Sequence, residues 1–279
     1  MQGEQGKAPG GARLLEQKTA LICGVASEKS IAWAVVRTLH EHGARIAMAC
    51  MPSLERRVTR LAETVGGALV IPCDVRNDDD ITRAADRAAE FGGGRLDVLV
   101  HSVAYAELDD LGGEFVVVSR KGWQTALDIS AYSLVAFSRA ARPHMKAAGK
   151  GSIFTMTFLG SRFVTPGYNI MGVAKAALEA SVRYLAYDLG PDGIRVNAIS
   201  PGPVETPSSM VIEDFRASRD VVATCTPLLR NVEAEDVAGT ALYLASDLSS
   251  GVTGAILPVD AGLHVLVPAA KRHRAAPPT

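Results

Sequence analysis

The sequence predicts an α/β fold: a single parallel, doubly wound sheet of about seven strands with helices on both faces. Three observations carry this. Short apolar runs alternate with helical stretches along the whole chain, four times in its first half alone. The strand-like runs are almost continuously apolar rather than alternating, as expected where helices cover both faces of a sheet. Hydrophobic residues make up 48% of the 279 residues but aromatics only 5%, so the apolar bulk is Ala, Val, Leu and Ile, which suits close helix-on-sheet packing.

The elements follow in order. Residues 18–24 read as a buried strand ending in Gly24, and 30–42 as an amphipathic helix with Ser30 at its cap and Gly43 past its end. Residues 45–50 form a second strand. Ser53 is expected to cap a charged helix running to about Thr64. A third strand covers 68–73, a helix 79–91 and a fourth strand 96–102. The second half repeats the pattern, with a long helix near 119–148, a strand at 152–157 and a helix at 168–189. A turn at 190–193 and a strand at 194–199 come next, then an irregular segment at 201–227. A helix at 233–246 and a strand at 255–259 close the domain. No linker or repeat interrupts residues 17–267, which form one domain. Residues 1–16 and the basic, Pro-rich residues 268–279 are expected to be disordered tails.

Composition excludes several classes of function. A net charge of −1 gives no bulk electrostatic case for nucleic acid or a membrane surface. No run of apolar residues is long enough to span a bilayer, and the N-terminus lacks a secretory apolar core, so the expected location is cytoplasmic. Cys23, Cys50, Cys73 and Cys225 form no CxxC and no metal-ligand spacing with His, so no metal site is expected. The 168–189 helix is apolar on more than one face. The sheet can cover only one side, so the other is expected to meet a second copy of the chain.

In open α/β sheets, ligands bind beyond the carboxyl ends of the strands. Gly24 to Ser30 and Ile31 join the first strand to a helix start, where free N–H groups and the helix dipole favour a phosphate. Asp74, past the third strand, could accept from an adenine amino group or cap the following helix. His101 and Ser102, at the end of the fourth strand, fall near a nicotinamide ribose, with His101 read as structural. Past the second strand, Met51-Pro52 offers neither the carboxylate that selects a ribose hydroxyl nor an Arg for a 2′-phosphate, so NADH and NADPH both stay open.

Tyr168 and Lys175 stand seven residues apart at the start of a helical run. That is close to two turns, so the side chains share a face roughly 10 Å apart along the axis. An ammonium there can hold an extended ligand while the phenol reaches past it.

Together, Gly24-x5-Ser30-Ile-Ala32, Cys73-Asp-Val75, His101-Ser-Val-Ala-Tyr-Ala106, Asp128-Ile-Ser130, Tyr168-x6-Lys175 and Ser200-x-Gly-Pro203 occur in this order. In these motifs the chain resembles the type I enoyl-acyl-carrier-protein reductases, a divergent branch of the short-chain dehydrogenase/reductase superfamily, over about residues 17–265. The six-residue gap between Tyr and Lys is the specific feature, since carbonyl-reducing members place three residues there.

The resemblance implies a Rossmann-type sheet of order 3-2-1-4-5-6-7. It implies NADH-dependent reduction of trans-2-enoyl thioesters carried by acyl carrier protein, in fatty acid synthesis, by a homotetramer. Tyr168 and Lys175 become the catalytic pair. Gly24, Ser30, Ile31, Asp74, Val75, Ser102, Val103, Lys175 and the stretch Val204, Glu205, Thr206, Pro207 and Ser208 become cofactor contacts. Ala106, Phe158, Tyr168, Met171, Ile212 and Phe215 become substrate contacts. Residues 201–227, long, irregular and following a strand end beside the site, are expected to form a substrate lid.

Some positions depart from the family pattern. Phe158 stands where many members carry a second Tyr, Glu205 where a basic residue is common, and Pro201 where a small one is. Glu213 replaces a basic residue on the segment that meets the carrier protein, leaving Arg216 and Arg219; coenzyme A is therefore the alternative carrier. Two other readings stay open. One is a carbonyl reductase using Thr155 or Thr157 as the hydroxyl that flanks the Tyr. The other is a non-catalytic NAD(H)-binding protein.

Overall fold

The computed structural model describes residues 13–212 and 215–266. Seven parallel strands form one sheet: β1 (Thr19–Cys23), β2 (Arg45–Cys50), β3 (Leu69–Pro72), β4 (Val98–His101), β5 (Gly151–Met156), β6 (Ile194–Pro201) and β7 (Ile256–Val259). Their spatial order is β3-β2-β1-β4-β5-β6-β7, as the resemblance implies. The order reverses between β1 and β4, which pair in parallel with Ile22 opposite Val100 and Cys23 opposite His101. Such a reversal opens a crevice at the carboxyl ends of the two strands.

Helices cover both faces. On one side lie α1 (Ile31–Glu41), α2 (Glu55–Glu63) and α8 (Ala234–Ala245), which bury Val35, Val36, Leu39, Val58, Leu61, Ala241 and Leu244 against the sheet. On the other lie α3 (Asp78–Phe91), α5 (Ser133–Ala147) and α6 (Asn169–Leu189), packing Ile81, Ala88, Leu134, Phe137, Leu178 and Val182. Alanines at the contact positions let helices and sheet approach closely, as the low aromatic content foretold.

Four details differ from the sequence reading. The predicted helix 119–148 is α4 (Arg120–Leu127) and α5 joined through a π-turn at Asp128–Tyr132, which no local pattern announces. Ser53 lies inside a 3-10 turn, Pro52–Leu54, and makes no cap bond to α2. The segment 201–227 is not irregular throughout, because α7 (Phe215–Cys225) forms within it, with no fully buried residue. The expected N-terminal tail is too long: Leu15 is fully buried in the core and its N–H donates to the carbonyl of His42 at 2.9 Å. Residues 1–12 and 267–279, most of the two predicted tails, lie outside the described residues.

Candidate active site

The site is built from the carboxyl ends of β1, β3, β4 and β5 and from the first two turns of α6. At β1, Gly24 has φ +93°, and a Cβ placed there would lie 2.0 Å from the carbonyl oxygen of Ser102. Only glycine lets the β1–α1 turn close against the end of β4 in this way. The turn delivers Ser30 to the α1 N-cap, where its Oγ accepts from the N–H of Trp33 at 3.2 Å and donates to the carbonyl of Ser27 at 2.7 Å. Ile31 opens α1 and is half-buried. The first-turn N–H groups of this helix and its dipole form an anion-binding end.

Asp74 is not a helix cap, since Asn77 caps α3 by accepting from the N–H of Asp79. Its backbone N–H donates to Asp80 at 3.0 Å, and its carboxylate accepts from the backbone and guanidinium of Arg76. Those bonds, with the charge of Arg76, hold it below its ordinary range. Val75, Ser102 and Val103 are half-buried beside the crevice.

His101 is fully buried. Its Nδ1 lies 2.8 Å from Thr155 Oγ1 and its Nε2 2.7 Å from Ser133 Oγ, while Phe137 packs edge-on against the ring. Burial, and then the charge of Lys175, push its pKa down to about 3, so the ring is neutral. A neutral imidazole donates from one nitrogen and accepts at the other, so one of the two hydroxyls turns its proton to the ring rather than to a carbonyl. His101 is thus a satisfied core residue, as the sequence reading held.

Lys175 is 5% exposed, and its Nζ donates to the carbonyl of Met156 at 2.7 Å. An ammonium has three donors, so two remain for a ligand. Burial lowers its pKa to about 8 against the opposing charge of Glu179. Glu179, one turn further along α6, is also buried; its Oε1 accepts from Thr157 at 2.8 Å and from Ser161 at 2.6 Å. The sequence reading passed over Glu179, although a lone acid on the buried stripe of an apolar helix marks it.

Tyr168 is the residue just before α6. Its ring meets Phe158 at 4.9 Å between centroids and 66°, an edge-to-face pair. A Cβ on Gly160 would fall 2.7 Å from the Tyr168 ring, so the 3-10 turn Leu159–Ser161 can seat against the phenol only with glycine there. Desolvation raises the phenol pKa, which keeps the proton on oxygen for donation. Asn169, with φ +26°, donates to the carbonyls of Gly112 and Gly113 and pins the helix start to that loop.

Tyr168 packs on a small apolar cluster that includes Ala106, Met171, Ile170 and Ala174, so the structure brings together four of the six predicted substrate contacts: Ala106, Phe158, Tyr168 and Met171. Ser130, on the π-turn, is fully buried. It bonds the backbone of Tyr105 and points at the sulfur of Met171. Ile212 and Phe215 are half-buried on the 201–227 segment and stand outside this cluster. On the same segment Val204 is buried, Glu205 and Thr206 are half-buried, and Pro207 and Ser208 are exposed. Arg216 pairs with Glu205 at 3.4 Å and Arg219 with Glu233 at 2.5 Å, so both guanidinium groups are already balanced; Glu213 lies outside the described residues.

Residues 24–264 match the family model described as Enoyl-(Acyl carrier protein) reductase. The NADH-dependent enoyl-acyl-carrier-protein reductase of Nostoc sp. is 45% identical over 256 residues, covering 90% of this chain and 98% of that protein. The crystal structure of the Bacillus cereus enoyl-acyl carrier protein reductase with NADP+ and indole naphthyridinone superposes with a TM-score of 0.88 at 46% identity, covering 91% and 99% of the two chains. That of the reductase from Anaplasma phagocytophilum in complex with NAD gives 0.87 at 42% identity, covering 92% and 97%.

Proposed function

The chain belongs to the enoyl-acyl-carrier-protein reductase family, and from that premise we propose which of its residues carry the reaction. The reaction is the NADH-dependent reduction of the carbon–carbon double bond of an enoyl thioester on acyl carrier protein. The observation that carries the assignment of residues is the Tyr168–Lys175 face: a buried ammonium with unused donors two turns from a desolvated, protonated phenol.

The residues present suit a dinucleotide. Gly24, Ser30 and Ile31 frame the phosphate end, Asp74 and Val75 the adenine end, and Ser102, Val103, Lys175 and residues 204–208 the nicotinamide end. NADH supplies the hydride that the substrate β-carbon accepts. Negative charge then develops on the thioester oxygen. Tyr168 donates a hydrogen bond to that oxygen, an interaction stronger in the transition state than in the ground state. Lys175 holds the ribose hydroxyls with its two remaining donors and stabilises the same developing charge. Ala106, Met171 and Phe158 wall the acyl chain and exclude water, with Ile212 and Phe215 of the lid closing over it.

The carbonyl-reductase alternative loses its hydroxyl, since Thr155 is engaged by His101 and Thr157 by Glu179. The balanced state of Arg216 and Arg219 supports testing coenzyme A as a second carrier. We also propose a homotetramer. On α6, Ala176, Tyr184 and Tyr187 face outward, with Tyr184 76% and Tyr187 83% exposed, and such a face suits a second copy of the helix. A cytoplasmic location fits the cofactor and substrate, and among the described residues no helix is long and apolar enough to cross a membrane.

Crotonyl and acetoacetyl thioesters, on both carriers, provide the test. Loss of 340 nm absorbance with the crotonyl substrate is expected; turnover of the β-keto substrate alone would overturn the assignment.

A further inference from the structure

We propose that Arg76 is a cofactor-positioning residue: it holds the Asp74 carboxylate as a fixed, oriented acceptor for the adenine amino group. The proposal rests on the reading that Asp74 meets the adenine.

The geometry is that of a fork. Arg76 Nε donates to both carboxylate oxygens, at 2.9 and 3.1 Å, its Nη2 donates to Oδ2, and its backbone N–H donates to Oδ1 at 3.0 Å. Bidentate pairing of this kind fixes the plane of a carboxylate, which a single lysine contact cannot do. The loop beneath is braced as well: Asp74 N–H reaches Asp80, the N–H of Asn77 reaches the carbonyl of Asp74, and Asp80 pairs with Arg83. Asp74 therefore has little freedom left. Its side chain is about a quarter exposed, so the carboxylate stays reachable by a ligand, whereas that of Arg76 is more than half exposed.

Asp128, on the π-turn, stands near enough for its charge to favour the Arg76 guanidinium. An exposed ion pair adds little to folding. The same pair is useful if its product is an acceptor already aimed, because a ligand then does not have to order it on binding. Adenine offers the matching N–H donor at its amino group. Hypoxanthine carries a carbonyl oxygen at that place and would face the carboxylate with a second acceptor.

The test compares NADH with reduced nicotinamide hypoxanthine dinucleotide in the full chain, using crotonyl thioester as the second substrate. The unsubstituted protein should prefer NADH by about tenfold in kcat/KM, the scale of a hydrogen bond to a charged group. Arg76→Ala should reduce that preference at least threefold, roughly, through a higher KM for NADH, with KM for the hypoxanthine cofactor and kcat both little changed. Arg76→Lys keeps the charge but not the fork and should behave like Arg76→Ala. If Arg76→Ala moves KM for both cofactors equally, or for neither, while Asp74→Ala abolishes the preference, the proposal is overturned and the adenine site stands. If Asp74→Ala also leaves the preference intact, the adenine is not at Asp74, and that reading fails together with the proposal. Thermal melts of each variant separate these outcomes from misfolding.

Discussion

His101 shows how a residue at a strand end can look chemical and be structural. Its ring is buried between two hydroxyls, and its folded pKa of about 3 lies below the ordinary value of 6.5. The unfolded chain therefore takes up a proton that the folded one refuses, and stability falls as pH drops from 6.5 toward 3. The full window corresponds to on the order of 5 kcal/mol. His101→Gln should lose roughly 2 kcal/mol at pH 7 through broken ring bonds, yet decline less steeply between pH 6.5 and 5 in urea unfolding. Parallel pH curves for the two proteins would refute the neutral, buried ring. Lys175 obeys the opposite requirement, because its charge is wanted. Its pKa of about 8 in the absence of ligand predicts that NADH affinity weakens as pH rises above 8, measured by cofactor fluorescence titration. An affinity flat to pH 10 would contradict the role given to this ammonium. At this scale Tyr168, Lys175, Asp74 and His101 were legible because each stands at a strand end or a helix start. Arg76 and Glu179 were not, because their importance comes from partners that only the folded chain supplies.

Among the elements, the β1–α1 turn carries the strictest demand. Gly24→Ala would place a methyl group against the Ser102 carbonyl on a left-handed backbone. The expected cost is about 3 kcal/mol or more, with a matching drop in NADH affinity. Unchanged stability in chemical denaturation would mean that the turn is looser than described. Strand and helix positions were readable from apolar runs and from Gly43 and Ser30. Caps were less so: Ser53 precedes a helix yet lies in a 3-10 turn begun by Pro52, and the α3 cap fell to Asn77 rather than Asp74. The π-turn at 128–132 was invisible, because an inserted residue does not disturb apolar periodicity enough to be seen. It matters all the same, since it turns Ser130 toward Tyr105 and Met171 and sets Ser133 against His101.

For the whole molecule, the alternation of buried strands and helices determined a parallel, doubly wound sheet, and right-handed crossovers leave few ways to order it. The reversal between β1 and β4 then dictates where a ligand can sit. The sequence already marks the outer face of α6 as a contact with a second copy, and the structure adds which side chains stand on it, Tyr184 and Tyr187. Light scattering behind size exclusion should give four times the 29.4 kDa chain mass, and Tyr184→Glu with Tyr187→Glu should shift it toward smaller species. A monomer at micromolar concentration would contradict the assembly.

In the proposed mechanism the phenol of Tyr168 meets the oxygen that gains charge, while Lys175 serves the cofactor. Steady-state reduction of crotonyl thioester by Tyr168→Phe, with NADH binding measured on the same preparation, tests it most directly. kcat should fall by roughly 10²–10³, with NADH affinity within about twofold of the unsubstituted protein. Loss of NADH binding, or an unchanged kcat, would contradict it.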